Sequence, residues 1–302
     1  MIVEKEIAEL NQLIINTLSD NNNNIANEIS DYLASKSKRL RPMLIFLFAK
    51  ALGIEINERI YHLACSVELI HNSTLVHDDI LDNAETRRGK ISLNYKLGNS
   101  LSVLAGDVLL SVALKELVKF DSLEAVDVFS KSLYIMCKGE INQNFTIGKI
   151  PSMPEYISKS EYKTAELYKA PLTSFALVYD AEHKDNILEF AKNFGIAFQI
   201  KDDLMNILKN DPTKPVMSDI HNGIYTAPVI FLNEDEGNVE NLSEDEIIEK
   251  IASNKKYIDK TVELIKEYAS KAIASIEFIN DNEYKAEIIK ITENLYKAGI
   301  DE

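Results

Sequence analysis

Two pairs of adjacent aspartates, each inside a long apolar run, are the residues of this chain best placed to do chemistry. Asp78, Asp79 and Asp82 lie in VHDDILDNAETRRG. Asp202 and Asp203 lie in GIAFQIKDDLMNILKND. A carboxylate rarely enters an apolar helix without a positive partner, because removing it from water costs several kcal/mol. Divalent metal ions that hold a phosphorylated substrate would balance both clusters.

The spacing of the first cluster predicts its geometry. Residues i, i+1 and i+4 fall within one helical turn, so Asp78 and Asp82 share a face that we expect to point into a cavity, with Asp79 beside it. Hard oxygen ligands without Cys or His nearby favour Mg²⁺, which usually takes one or two carboxylates and adds water and phosphate oxygens. A solvated acidic helix end would be the better interpretation of either cluster alone, so the surrounding cations decide between the two interpretations.

A dense basic segment precedes the first cluster. KSKRLRP spans residues 36–42, and Lys38 and Arg41 would share a helical face if a helix opens near Pro42. His71 lies seven residues before the first aspartate, two helical turns away and on nearly the same side. These residues indicate a second anion-binding position near the aspartates.

An arginine pair follows the first cluster. Arg87 and Arg88 lie within two turns of it, and Gly89 is expected to end or bend the helix there. Arginine forks match the geometry of phosphate groups. Lys163 and Lys214 add isolated positive charges near the remaining motifs. The pattern predicts one anionic group held by metals and another held by cations.

The composition bounds the fold and excludes several kinds of partner. The chain has 302 residues, 46% of them hydrophobic, with only 10 Gly and 7 Pro, which predicts an almost wholly α-helical protein. The formal net charge of −15 argues against nucleic acid and against strong attachment to an anionic membrane. We therefore expect neither nucleic acid nor an anionic membrane to be a partner.

No segment predicts export or a membrane span. The N-terminus lacks a signal-peptide core, and no apolar run reaches the ~20 residues that a transmembrane helix needs. LSVLAGDVLLSVAL comes closest, but Asp107 interrupts it, and we expect a nearby cation to pair with this aspartate. Cys65 and Cys137 fall in apolar helical segments and are predicted to be buried free thiols. We expect a soluble cytoplasmic protein.

Helical periodicity runs through most of the chain and predicts one domain, residues 1–302, of about eleven or more helices. The predicted helices lie near residues 3–19, 24–36, 41–52, 56–82, 92–119, 122–147, 154–180, 185–209, 222–232, 243–275 and 281–298. Capping boxes, in which a side-chain oxygen and an acid three residues on satisfy free backbone N–H groups, mark several starts. They pair Asp121 with Glu124, Ser152 with Glu155, and Ser243 with Glu246.

Taken in order, these motifs resemble those of the trans-isoprenyl (polyprenyl) diphosphate synthases. The matching segments are KRLRP at 38–42, ELIHNSTLVHDDILD at 68–82, RRG at 87–89, GDVLL at 106–110, Lys163-Thr164-Ala165, Gly195 with Phe198, Gln199, Asp202 and Asp203, and KPVMSDIHNGIYTAP at 214–228. The resemblance implies an all-α, single-domain bundle of the isoprenoid synthase type around a deep central cavity. It also implies Mg²⁺, a homodimer, and condensation of isopentenyl diphosphate with an allylic diphosphate.

The resemblance implies a role for each matching residue. Asp78, Asp82 and, across the cavity, Asp202 would coordinate Mg²⁺ on the allylic diphosphate, with Asp79 and Asp203 in support. Arg87, Lys163 and Lys214 would neutralise the same diphosphate. Lys38, Arg41, His71 and Arg88 would hold isopentenyl diphosphate. Thr164 and Gln199 would present oxygen dipoles to the carbocation.

The chain departs from the family pattern at three positions. Asn206 stands where the second cluster usually has a third aspartate, and it offers only a neutral oxygen. Ile224 stands where a basic residue usually follows Gly223, which removes one phosphate contact. Ser37 replaces the glycine before Lys38.

The residues before the first cluster predict product length. The growing chain is expected to thread between helices beneath Asp78, where one helical turn rises about 5.4 Å. Thr74 and Ser73, four and five residues earlier, are small, whereas a Phe or Tyr there would block the tunnel. Ile70 follows on the next turn and is interpreted as ordinary core packing. The hypothesis is a product longer than fifteen carbons, of geranylgeranyl length or greater.

Two alternatives are weighed beside the synthase. A class I terpene cyclase shares the first aspartate motif, but it would not need the cations Lys38, Arg41, His71 and Arg88. Its second metal motif ends on a downstream Glu, which DDLMNILKND lacks. A non-catalytic subunit of a heteromeric synthase draws support from Asn206 and Ile224, whereas the intact first cluster argues against it.

Overall fold

The computed structural model describes residues 2–19, 24–33, 37–208 and 218–297, and these are almost entirely α-helical. The prediction of an all-α fold is confirmed. The Cα positions group into two compact units, each built from several stretches of the chain. A single domain over residues 1–302 stays a prediction.

The first unit comprises Met1–Asp127, Ser174–Asp180 and Asn280–Glu287. Helix α4 forms its centre and packs against α6 and α3. The helices of this unit are α1 (Glu4–Ser19), α2 (Asn24–Leu33), α3 (Leu40–Ala51), α4 (Glu58–Leu81), α5 (Leu93–Leu97) and α6 (Asn99–Lys119).

Helix α4 is held in place by its cap and by an unusually close neighbour. The Asn57 side chain accepts a hydrogen bond from the Ile60 N–H at 3.2 Å, which satisfies one free donor of the first turn. On α6, a Cβ at Gly106 would lie 2.2 Å from Nε2 of His77, so only glycine fits beside that ring as it stands. The Ser73 hydroxyl donates to the Gly106 carbonyl at 2.8 Å. Together these contacts fix the register of α4 on α6.

A two-stranded hairpin follows α4. Strands β1 (Thr86–Arg87) and β2 (Lys90–Ile91) pair antiparallel, and the two turn residues Arg88 and Gly89 have φ of 52° and 75°. Positive φ at both central positions is the conformation of a type I′ turn. The prediction that Gly89 ends or bends the helix is wrong, because α4 has already ended at Leu81. The hairpin instead places Arg88 at its tip.

The second unit comprises Val128–Thr173, Ala181–Ile279 and Ile288–Glu302. Helix α10 forms its centre and packs against α14, α8 and α12. The remaining helices of the chain are α7 (Leu123–Asn144), α8 (Met153–Ser160), α9 (Glu166–Tyr179), α10 (Lys184–Leu208), α11 (Ser218–His221), α12 (Ala227–Glu236), α13 (Glu244–Ser253), α14 (Lys255–Ser275) and α15 (Glu283–Lys297). Of these, α7, α9 and α15 belong in part to each unit.

A π-helical turn, Glu161–Ala165, joins α8 to α9. Such turns are rare and often lie at functional sites. Here the turn packs against α10 at Gly195, where a Cβ would lie 2.4 Å from the Cα of Ala165. The predicted helix over 154–180 is therefore divided, and the division falls at Lys163 and Thr164.

Capping boxes were predicted at three helix starts. The Ser152 and Ser243 boxes are confirmed, since each backbone N–H donates to the glutamate three residues on at 2.8 Å. The Asp121 box is wrong. Asp121 has a φ of 58°, and the hydroxyl of Ser122 instead accepts the Ala125 N–H at 3.1 Å. Two further predicted helices are also broken, 92–119 at Gly98 and 243–275 at Asn254.

The two cysteines differ in exposure. Cys65 is buried as predicted, but Cys137 on α7 is exposed, so its predicted burial is wrong. Among the described ranges, no helix combines the length and the apolar character needed to cross a bilayer.

Candidate active site

The first aspartate cluster lies at the end of α4. Asp79 is only 1% exposed, and the Nε of Arg87 donates to its Oδ1 at 2.7 Å. A second guanidinium nitrogen of Arg87 donates to the same oxygen, which completes an ion pair. Asp78 is half-buried, and Asp82 caps the helix and is exposed. The deepest carboxylate is thus Asp79, and Asp78 and Asp82 keep access to solvent.

The structure brings together three of the four residues predicted to hold isopentenyl diphosphate. His71 on α4 is half-buried, and burial holds the pKa of its imidazole well below the usual value. The charges of Arg41 and Arg88 lower this pKa further. His71 is therefore neutral at physiological pH, with arginines around it. Lys38 is exposed in the segment before α3, so the prediction that it shares a helical face with Arg41 is wrong.

Arg39 anchors the basic segment, a role that sequence reasoning missed. Its side chain is 8% exposed, and Nη1 lies 2.5 Å from Oε1 of Glu68 on α4. The same guanidinium donates to the Asn11 side chain and to the Leu33 carbonyl, each at 3.1 Å. Glu68 also accepts from the amide of Asn72 at 3.2 Å. A buried arginine held on several sides fixes the segment that carries Lys38 and Arg41.

Asp107 on α6 has a histidine partner. Its Oδ1 lies 3.6 Å from Nε2 of His77, and the aspartate side chain is 58% exposed. The predicted partner of Asp107 is thus a histidine, which is a cation only when it is protonated. The His77 ring packs over Gly106 and thereby occupies the contact between α4 and α6.

The second aspartate pair lies on α10. The hydroxyl of Tyr156 donates to Oδ2 of Asp203 at 2.6 Å, and the amide of Gln199 donates to Oδ1 at 2.7 Å. Burial raises the pKa of Asp203 to about 7, against the lowering effect of these two hydrogen bonds. Asp202, beside it, is exposed. Within this pair Asp203 is half-buried and hydrogen-bonded, whereas Asp202 is exposed.

A chain of hydrogen bonds connects this pair to the π-helical turn. The hydroxyl of Thr164 donates to Oε1 of Gln199, whose amide then donates to Asp203. Lys163, the neighbouring residue of the turn, lies 3.2 Å from Oε2 of Glu140 on α7. The predicted residues Lys163, Thr164, Gln199 and Asp203 are therefore close together within one unit.

Other predicted residues are placed less completely. Lys214 lies outside the described residues. Ile224 is half-buried in the turn after α11, and its N–H donates to the Asp219 carbonyl at 2.8 Å. The grouping of Asp202 with Asp78 around one diphosphate stays a prediction.

The donor atoms fit a hard divalent ion. Within the ranges that the structure describes, no three side chains of His, Cys, Asp or Glu form a ready-made metal cage. Mg²⁺ does not require one, because it usually keeps several waters and takes phosphate oxygens alongside one or two carboxylates. Asp78, Asp82 and Asp202 offer carboxylate oxygens with access to solvent. At each of the two aspartate pairs, taken by itself, this chemistry and exposure suit an ion shared with a phosphorylated ligand.

Comparison with known proteins identifies the family. The model of the polyprenyl synthetase family matches residues 23–265. A prenyl transferase from Cyanidium caldarium is 32% identical, over 97% of this chain and 95% of that protein. The crystal structure of heptaprenyl diphosphate synthase from Staphylococcus aureus superposes with a TM-score of 0.91 at 25% identity, covering 97% of this chain and 98% of the other.

A second solved structure adds a ligand. The polyprenyl synthase from Caulobacter crescentus CB15, complexed with calcium and isoprenyl diphosphate, has a TM-score of 0.90 at 25% identity and covers 98% of this chain and 95% of its own. The predicted fold type is thus confirmed. The chain belongs to the polyprenyl synthetase family and is a prenyltransferase.

Proposed function

We propose that this chain condenses isopentenyl diphosphate head to tail with an allylic diphosphate, in the presence of Mg²⁺, to give an all-trans polyprenyl diphosphate. One observation supports this reaction most directly. Helix α4 carries accessible carboxylates at its end and, two turns earlier, a neutral histidine surrounded by arginines. The first group suits a metal-bound diphosphate, and the second suits an anion held by cations alone.

Asp78, Asp82 and Asp202 would hold the ions, with Asp79 and Asp203 in support. Bound Mg²⁺ would neutralise the diphosphate and so make it a better leaving group. The Caulobacter protein, which was crystallised with calcium and isoprenyl diphosphate, supports a divalent ion in this role.

The chain's own cations would position both substrates. Arg41, His71 and Arg88, with Lys38, would hold isopentenyl diphosphate, and the neutral imidazole can donate one N–H to a phosphate oxygen without losing a proton. Arg87, Lys163 and Lys214 would face the allylic diphosphate. Holding the two substrates in line lowers the barrier, because the entropy of bringing them together has already been lost on binding.

The hydroxyl and amide groups on the π-helical turn and α10 would stabilise the allylic cation. The Thr164 hydroxyl donates a hydrogen bond to Oε1 of Gln199, which leaves the lone pairs of the hydroxyl oxygen available to a positive centre. Oriented dipoles in a site that excludes water stabilise developing charge more strongly than water does. Thr164 and Gln199 are proposed for this role.

The product would exceed fifteen carbons. Ser73 and Thr74 are small, and both hydroxyls bond to backbone carbonyls, those of Gly106 and His71, at 2.8 Å. Neither side chain then projects far from α4. The Staphylococcus relative, a heptaprenyl diphosphate synthase, supports a long product.

The test supplies the purified chain with Mg²⁺, farnesyl diphosphate and labelled isopentenyl diphosphate, followed by chromatography of the products. Extension beyond the farnesyl primer is expected. Release of diphosphate without isopentenyl diphosphate would favour the terpene cyclase, and no release under either condition would favour a non-catalytic subunit. Failure to extend farnesyl diphosphate while shorter primers are extended would refute the long product alone.

A homodimer is also proposed, on the strength of the family resemblance. Light scattering of the purified chain should give twice the mass of one chain, which is 34.1 kDa. A cytoplasmic location stays a prediction from the sequence.

A further inference from the structure

Lys159 on α8 is a half-buried lysine that forms no ion pair with any residue in the described part of the chain. Long charged side chains usually keep their heads in water or find a partner, because partial burial of a charge weakens its hydration. The neighbouring Lys163 does have a counterion, since its Nζ lies 3.2 Å from Oε2 of Glu140. Of these two lysines, Lys159 is therefore the one that lacks a close counterion among the described residues.

The position of Lys159 directs it toward the second aspartate pair. Tyr156 lies three residues earlier on α8 and donates to Asp203, and Lys163 lies four residues later. Residues three and four apart share one side of a helix. The side of α8 that carries Tyr156 and Lys159 therefore borders Asp203.

The electrostatic surroundings of Lys159 agree with this geometry. Burial lowers the pKa of its ammonium, and the charge of Lys163 lowers it further. Three acids on other helices act in the opposite direction, and none is close enough for an ion pair. They are Asp203 on α10, Glu140 on α7 and Asp219 on α11. Two neighbouring ammonium groups repel each other, so an anion placed between them would be stabilised by both.

The turn that carries Ile224 belongs to the same neighbourhood. The Ile224 N–H donates to the Asp219 carbonyl, and the charge of Asp219 acts on Lys159. Position 224 is where the resemblance implies a basic residue, and an isoleucine cannot contact phosphate oxygens favourably. The region thus lacks the basic residue expected at position 224 and contains an unexpected one, Lys159, on a different helix.

We propose that Lys159 binds the diphosphate of the allylic substrate and supplies from α8 the positive charge that position 224 lacks. This assignment rests on the proposed function, because that function provides the diphosphate. A lysine offers a compact charge and three N–H donors, which suit phosphate oxygens without the fixed planar geometry of arginine. Sequence alone does not reveal the residue, because Lys159 stands outside the matched motifs.

The test compares the full-length wild-type chain with Lys159→Met, Ile224→Lys and the double variant. Binding of inorganic pyrophosphate with Mg²⁺ is measured by calorimetry. Lys159→Met should weaken binding at least about tenfold, the effect of losing one charge-assisted contact. The double variant should recover most of this loss, because the new lysine occupies the neighbouring turn. Lys192→Met, on the exposed side of α10, is the matched control and should bind as the wild type does.

Kinetics and stability separate a binding role from a structural one. Lys159→Met should raise the KM for the allylic substrate and leave the KM for isopentenyl diphosphate unchanged. Its ligand-free melting temperature should equal or exceed that of the wild type, since an unpaired cation beside Lys163 has been removed. Lys159→Gln is measured in parallel and replaces the methionine variant if that variant does not fold.

The outcomes distinguish this assignment from the proposed function. Unchanged pyrophosphate affinity in Lys159→Met or Lys159→Gln would overturn the assignment even if the wild type transfers prenyl groups. A lowered melting temperature with unchanged affinity would overturn it too, because Lys159 would then be structural. A wild type that binds pyrophosphate through Lys159 but transfers no prenyl group would refute the proposed function and leave Lys159 as a pyrophosphate-binding residue only.

Discussion

Asp79 is buried and Asp203 is half-buried, each next to a more exposed aspartate, and their surroundings compensate differently for the loss of contact with water. Asp79 faces a guanidinium, that of Arg87, in an ion pair. Asp203 faces two neutral donors, the hydroxyl of Tyr156 and the amide of Gln199. An opposite charge favours the ionised carboxylate strongly, whereas neutral donors do so less. The pKa of Asp203 accordingly rises to about 7.

Because of this difference, the two regions should tolerate substitution of the partner residues unequally. Removing the cation from Asp79 would leave a buried charge without compensation, which is among the most costly changes in a protein interior. Asp203 has another response, because a carboxyl with a raised pKa can take up a proton when a donor is lost. The first region is thus held together by charge and the second by hydrogen bonds.

The largest effect is expected when one of the more exposed aspartates is replaced, because these residues are proposed to bind the metal ions. Asp78→Asn should reduce the rate of prenyl transfer roughly a hundredfold to a thousandfold, because a neutral amide holds a divalent ion poorly. The rate of transfer from labelled isopentenyl diphosphate measures this. Asp185→Asn, on the exposed start of α10, serves as the control. A rate within a fewfold of the wild type would exclude Asp78 as a metal ligand.

The contrast between charge and neutral donors is tested by stability. Arg87→Met should lower the free energy of unfolding by about 3 kcal/mol, because Asp79 stays buried without its partner. Tyr156→Phe should cost only about 1 kcal/mol, the loss of one hydrogen bond to a group that can protonate. Urea denaturation of the metal-free protein gives both values. Equal losses in the two variants would remove the proposed distinction.

The close approaches in the two regions also differ. At Gly195 a new Cβ meets the backbone of Ala165, whereas at Gly106 it meets the side chain of His77. Backbone cannot move aside easily, so Gly195→Ala should cost about 2 kcal/mol. Gly106→Ala should stay within about 1 kcal/mol of the wild type, since the imidazole can rotate and alanine favours the helix. Thermal unfolding of both variants decides this, and a greater loss at Gly106 would contradict it.

The smallest effect concerns the pH dependence of the first region. The pKa of His71 in the folded protein lies well below its usual value, so the unfolded chain binds more protons as pH falls through about 6.5. The free energy of unfolding therefore decreases as the pH falls below that value, because protons bind to His71 in the unfolded chain first. When the pH falls from about 7.5 to about 5.5, the free energy of unfolding of His71→Gln should decrease by up to about 1 kcal/mol less than that of the wild type. Equal losses would show that His71 is not kept neutral by the fold.

Local signals in the sequence predicted local structure well. The Ser152 and Ser243 boxes are recognisable because every partner lies within one turn. Short elements escaped prediction, since a two-residue strand such as Thr86–Arg87 is too short to show a period. The π-helical turn escaped too, because it packs against Gly195, thirty residues away in sequence, and no local pattern marks that contact.

Site residues follow the same rule. The motifs predicted Asp203 and Gln199 because they stand one turn apart in a recognisable segment. Tyr156 and Arg39 reach their partners across 47 and 29 residues, and nothing in their local sequence indicates those contacts. Long-range partners became visible only when the helices were placed.

The unequal exposure of the two thiols gives the protein a natural attachment point. Cys65 is enclosed and its pKa is raised by burial, so it has little of the reactive thiolate form. Cys137 lies open on α7. A maleimide dye should therefore label one position of the unmodified chain, which provides a fluorescent reporter of substrate binding without any engineered cysteine.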